Sequence, residues 1–135
     1  LELSGVSALR QVIDISGDGP NNEGRLVTFA RDEAVAKGVT INGLPVMIKP
    51  IGYYDIIDLD VYYEDCVIGG PGSFSIPVKS REQFSEAVRT KLINEIALAP
   101  PAGFGDGLPI RKADAKRPRI SCAIGERQWR DRWGN

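Results

Sequence analysis

The 135-residue sequence contains no histidine. Within these residues that excludes Ser-His-Asp and Cys-His nucleophile pairs, and it excludes imidazole metal sites. Any metal ion here would have to be held by oxygen ligands, or at most by the two cysteines. An excess of one charge is missing as well. Lys+Arg number 17 against 18 Asp+Glu, for a net charge of −1, whereas nucleic-acid and anionic membrane partners draw on a basic surplus. No apolar run approaches the roughly 20 residues of a membrane span. Gly17, Gly19 and Gly24 miss the GxGxxG spacing and no GxxxxGK[ST] occurs, so nucleotide binding has little support. There is no internal repeat and no low-complexity run. What remains is ordinary globular material: 42% hydrophobic and 26% charged residues, in a length suited to one domain.

Cysteine is scarce. Cys66 and Cys122 form no CxxC or zinc pattern. Their spacing leaves two readings open, a pair of free buried thiols or one disulfide tying the C-terminal tail to the body. The disulfide would require an oxidising compartment and, by loop entropy, could contribute roughly 4 kcal/mol. The first residue is Leu1, and Leu1–Gly5 reads as the end of a helix entering a loop, so the expectation is a fragment without a signal peptide.

Along the chain, Val12–Ser16 is a β-rich run stopped by Gly17-Asp18-Gly19-Pro20-Asn21-Asn22, a strand followed by a turn. From Gly24 to Lys37, Leu26, Val27, Ala30, Ala34 and Val35 fall on one helical face, with Asn22 as the expected N-cap and Gly38 as the terminator. Val39–Ile48 reads as a second strand and its exit. Strand, helix and strand together form a βαβ unit, which predicts a doubly wound, mostly parallel α/β sheet. Leu59–Cys66 suits a short helix, Gly69–Gly72 a turn, and Ser73–Val78 a third strand. Ser80-Arg81-Glu82-Gln83 has the form of a capping box. Behind it, Phe84, Ala87, Val88, Leu92 and Ile96 repeat at helical spacing. From residue 99 the composition turns to Pro and Gly. Lys112–Arg119 is basic and expected to be solvated, Arg119–Ala123 suits a short strand, and Gln128–Trp133 a helical turn whose Trp129 and Trp133 dock the tail. The division expected is a body over 1–98 and a loop-rich extension over 99–135.

The loop Gly17–Asn22 lies just past the C-terminal end of the first strand, the edge where open α/β sheets bind ligands. Asp18 offers a carboxylate there. The plainer alternative is a turn whose Asp and Asn side chains bond to nearby backbone. Gly69–Gly72 could form an anion-binding nest, though a tight turn is the commoner use. Asp14, Asp55, Asp58, Asp60, Glu64 and Asp65 invite pairing, but spacing does not decide which of them meet. Asp14 is odd inside a parallel strand. Either a bond across the sheet edge or a place near the Asp18 loop would account for it.

The run Val12–Asn22 resembles the strand and loop of von Willebrand factor A domains that ends in Thr-Asp-Gly or Ser-Asp-Gly. Ala30–Ala34, Gly38–Pro45, Tyr62-Tyr63, Cys66–Phe74 and the Phe84–Ala97 helix extend the likeness, over roughly residues 9 to 98, to a mainly alphaproteobacterial family of such domains of unknown function. The resemblance implies the second half of a six-stranded, mostly parallel sheet with helices on both faces. In metal-binding members three loops hold Mg²⁺ or Mn²⁺ through oxygen ligands, and Asp18 matches the third. The Asp-x-Ser-x-Ser and Thr loops have no counterpart, and Gly17 stands where many relatives have Thr or Ser. The metal site is therefore expected to be incomplete, with Mg²⁺ or Mn²⁺ not bound stably by this chain alone. The missing half of the domain, or an intertwined oligomer, would cover an exposed sheet edge. The resemblance also implies export to the periplasm or beyond, and with it the Cys66–Cys122 disulfide.

Three functions follow in order. The first is a ligand- or protein-binding module with a metal-ion-dependent adhesion site centred on Asp18, flanked by Gly17, Gly19, Asn21 and Asn22. The second is a metal-free scaffold of the same fold. A hydrolase using Asp14 and Asp18 trails both, so the chain is expected not to be an enzyme.

Overall fold

A computed structural model describes residues 10–48, 58–97, 110–112 and 119–133. Among these residues four strands form one sheet in the order β1 (Gln11–Gly17), β2 (Val39–Pro45), β3 (Phe74–Ser75) and β4 (Arg111–Lys112). β1 and β2 run parallel over seven residue pairs, from Gln11 beside Val39 to Gly17 beside Pro45. β3 joins β2 in parallel and β4 closes the far side antiparallel to β3. This is the doubly wound, mostly parallel α/β architecture, with helices on both faces.

β2 is central, and all seven of its residues are buried. Its period of two separates the layers. Ile41, Gly43 and Pro45 face one way. There α1 (Val27–Ala36) and α2 (Leu59–Tyr62) pack, α2 running on into a π-helical turn over Tyr63–Val67 that the Tyr63 carbonyl closes on the Ile68 N–H at 3.0 Å. Gly43 is required on this face, because a Cβ would stand 2.5 Å from the Tyr63 ring. Leu59, Tyr62, Tyr63, Cys66 and Val67 form the core of this layer. Asn42 and Leu44 point to the opposite face, toward α3 (Glu82–Ala97), where Leu44, Phe74, Ile76, Val78 and Ala87 make a second core. Fully burying such side chains contributes roughly 1.5–3 kcal/mol each.

Several local expectations change. α1 begins at Val27 with Leu26 at its N-cap and no side-chain cap, so Asn22 does not cap it. Gly24 sits at φ 81°, a left-handed conformation that keeps the helix from starting earlier. Gly38, at φ 83°, does end it. α3 forms as expected, but the box before it is displaced: the Gln83 side chain accepts from the Lys79 N–H at 2.8 Å. Only part of its apolar stripe, Ala87 and Val88, packs on the core. Phe84 and Leu92 are half exposed and Ile96 is exposed, while Ala87, Lys91, Asn94 and Glu95 turn inward. The sheet explains this, because it presents Asp14 and Asn42 to the helix. Lys91 Nζ donates to Asp14 at 2.7 Å, and the Asn42 amide donates to Glu95 at 3.1 Å while accepting from the Phe74 N–H. Asp14 thus bonds to α3, neither across the sheet edge nor in the Asp18 loop. Burial raises both carboxyls. At Asp14 the hydrogen bonds from Glu95 and Lys91 reverse it, and at Glu95 the neighbouring Asp14 adds to it.

Residues 119–123 form no strand, and the added strand is β4. Arg119 is not simply solvated. Its backbone and guanidinium donate to Asp65 at 2.7, 3.2 and 2.8 Å, and the guanidinium also meets Glu64. Cys66 and Cys122 are joined in a disulfide with Cα atoms 5.5 Å apart. The tail beyond it is a ten-residue helix, α4 (Ile124–Trp133), longer than the turn expected. Asp55 and residues 99–109 lie outside the described residues.

Candidate functional site

The chain leaves β1 at Gly17 and enters the loop Asp18–Asn22 at the C-terminal end of the parallel strands. Tyr63, on the π-helical turn, reaches under this exit. A Cβ at Gly17 would lie 3.0 Å from its hydroxyl, a tight approach that favours glycine at the position where many of the resembling domains carry Thr or Ser. Burial, with Tyr62 and the Asp18 charge adding to it, pushes the Tyr63 phenol up to about 12. The neighbouring Tyr62 is also raised by burial, and its hydroxyl accepts from the Asn21 N–H at 3.0 Å.

α4 lies against the same loop. The Asn21 amide donates to the Arg25 carbonyl at 3.1 Å and to Glu126 Oε1 at 2.6 Å. Gly125 sits so close that a Cβ there would overlap the Asn21 carbonyl oxygen. The other Glu126 oxygen is buried with no hydrogen-bond partner among the described groups. Loop and helix together enclose a cavity of about 310 Å³. Gly17, Asp18, Gly19, Pro20 and Asn22 form one wall, and Gly125, Gln128 and Trp129 the other. Trp129 is 46% exposed and lines this space, so it does not serve as the buried anchor expected of it. The Trp133 side chain is outside the described residues.

Of the residues singled out from sequence, Gly17, Asp18, Gly19 and Asn22 meet at the cavity, and Asn21 ties the loop to α4. Asp14 is paired with Lys91 of α3 while staying partly open to solvent, and Asp60 accepts from the Val61 N–H at 2.9 Å. Glu64 and Asp65 hold Arg119. Gly69–Gly72 makes a turn, closed by the Ser73 N–H on the Gly70 carbonyl at 3.2 Å, with Thr40 donating to the Pro71 carbonyl. Gly125 and Gln128 were not foreseen. Their one signal was the helical spacing of 125, 128 and 129, which shows a shared face and not what the face covers.

A family model described as a protein of unknown function, DUF1194, matches residues 1–100. The chain belongs to the DUF1194 family. The match takes in the Asp18 loop and Cys66 and ends before Cys122 and α4. No curated protein and no solved structure matches this DUF1194 chain. Among the described residues no helix is long and apolar enough to cross a membrane, and no group of three or more His, Cys, Asp or Glu could hold a metal ion.

Proposed function

We propose that this DUF1194 chain is a binding module that takes its ligand in the cavity between the Asp18 loop and α4. The cavity carries the reading, being a concave space at the C-terminal edge of parallel strands. Among the described residues Asp18 is the one titratable side chain lining it, and no nucleophile stands beside a base there, which supports binding over catalysis. The disulfide supports an oxidising compartment, the periplasm or the outside of the cell. A protein partner would add at the outer edge of β1, which pairs with β2 alone among the described strands.

Mg²⁺ or Mn²⁺ is the finer reading that the family resemblance implies. The described donors do not fit it by themselves, since a Mg²⁺ shell takes about six oxygens and the cavity offers one carboxylate. An ion there would draw its other oxygens from water, ligand or polypeptide beyond the described residues.

Amide shift mapping with a library of small polar fragments tests the module. Fragments should shift residues 17–22 and 125–129 together, and shifts confined to other surfaces would sink the reading. Titrating Mn²⁺ in the same experiment tests the metal. Broadening of residues 17–22 that Asp18→Ala abolishes would establish an ion site. No broadening in either protein would leave a metal-free module, and equal broadening in both would remove Asp18 from the ion site.

A further inference from the structure

The chemistry of the two cavity walls narrows the ligand class, an inference that rests on the cavity being the binding site. Asp18 only accepts hydrogen bonds, whereas the carboxamides of Asn22 and Gln128 each donate and accept. Trp129 and Pro20 add apolar ring surface, and the glycines at 17 and 19 leave backbone partly accessible. Among the described residues no lysine or arginine lines the cavity, so these walls offer an anionic ligand no counter-charge. A purely apolar ligand would strip water from three polar side chains and return nothing to them. A simple organic cation would suit Asp18, the indole ring and the carboxamide oxygens, but it would leave the N–H donors of both carboxamides unanswered.

One ligand class answers every wall. A neutral ring bearing several hydroxyls donates to Asp18, exchanges hydrogen bonds in both directions with Asn22 and Gln128, and lays its C–H face on Trp129 and Pro20. We infer that the cavity is a subsite for a neutral sugar ring, free or at the end of a glycan. The volume of about 310 Å³ is at the small end of ligand pockets, which suits a single ring with room for a substituent. Gln128 and Trp129 set the specificity, and both lie on α4, beyond the residues the DUF1194 family model matches. The wall they form is held before any ligand arrives, by the disulfide at Cys122, the Asn21–Glu126 hydrogen bond and the close seat of Gly125 on Asn21.

The test is saturation-transfer and amide-shift NMR on the intact, oxidised chain. The probes are methyl glycosides of glucose, galactose, mannose and N-acetylglucosamine, then their linear oligosaccharides, with methylguanidinium and acetate alongside. At least one glycoside should bind with shifts at residues 17–22 and 125–129. Trp129→Ala and Gln128→Ala should each weaken it by about tenfold or more, and Trp129→Phe should retain most of the affinity. Circular dichroism and an intact disulfide show that the variants are folded. A tighter oligosaccharide than monosaccharide would point to a glycan end. Methylguanidinium or acetate binding at these residues without any glycoside would overturn the sugar inference and keep the cavity as a binding site. No probe at these residues would overturn both, and glycoside binding unchanged in both alanine variants would overturn the role given to α4.

Discussion

Gly125 is where helix preference and packing compete directly. Ala is favoured over Gly by up to about 1 kcal/mol in a helix interior and by less in the first turn, where Gly125 lies, so Gly125→Ala should help α4 slightly if the helix stood alone. Here the added methyl meets the Asn21 carbonyl, a backbone atom with no rotamer to retreat into. Overpacking of that kind costs about 1–3 kcal/mol, so the clash wins. Urea denaturation should show Gly125→Ala less stable than the parent chain, and the amides of residues 18–22 should shift as the loop is pushed away. A stability gain would mean that α4 does not sit against the loop. Asp18 is different in kind: it is exposed on the cavity wall, so Asp18→Ala should be read out first in ligand or ion affinity.

At the scale of elements, α4 is a helix whose own sequence gives it little reason to be where it is. It presents Arg127, Arg130 and Asp131 to solvent, and it reaches the body through a few fixed points. The Cys66–Cys122 disulfide closes a loop of 56 residues from the π-helical turn to the start of α4. In the chain-entropy picture the bond stabilises the fold by about 4 kcal/mol. Cys66→Ser with Cys122→Ser should lower the urea midpoint accordingly. Hydrogen exchange should quicken first in residues 124–130, because α4 loses its anchor while β2 keeps its buried ladder. Uniform exchange across α4 and β2 would contradict this order. The Asp65–Arg119 contact is the second fixed point. Arg119→Ala strands a buried carboxylate, at a cost of about 2 kcal/mol once the half-exposed guanidinium is discounted for solvent screening.

For the whole molecule, pH dependence follows from three carboxyls that do not act alike. Burial raises Asp65, but the hydrogen bonds from Arg119 more than reverse it and hold its carboxyl below the ordinary range. Asp14 is lowered in the same way by Glu95 and Lys91. A lowered folded value means stability that is complete above the unfolded carboxylate value and is lost as pH falls through the folded one. Glu95 is raised, so its contribution is complete at low pH and is lost as pH rises through its folded value. Asp14 and Glu95 titrate as one pair with opposing directions, so the Asp65 term predicts that stability falls on acidification below about pH 4. Asp65→Asn should flatten that fall in denaturation curves taken from pH 2 to 7. A variant curve parallel to the parent's would remove Asp65 from this account.

The amino-acid sequence by itself determined the βαβ order, the parallel pairing of β1 and β2, the end of α1 at Gly38 and the place of the Asp18 loop at the ligand edge. Those features rest on periodicity and turn chemistry within a few consecutive residues, so they are written locally. Only the tertiary structure decided that α3 turns Lys91 and Glu95 inward and leaves Phe84 and Ile96 outside, because the inward face of a helix depends on what the sheet beneath it offers. It likewise decided that Arg119 is paired and that Trp129 forms a cavity wall. The disulfide was one of two readings left open by spacing and was favoured only by the family resemblance. Contacts such as Asn21 with Glu126 join residues 105 positions apart, and no local pattern records a partner at that distance.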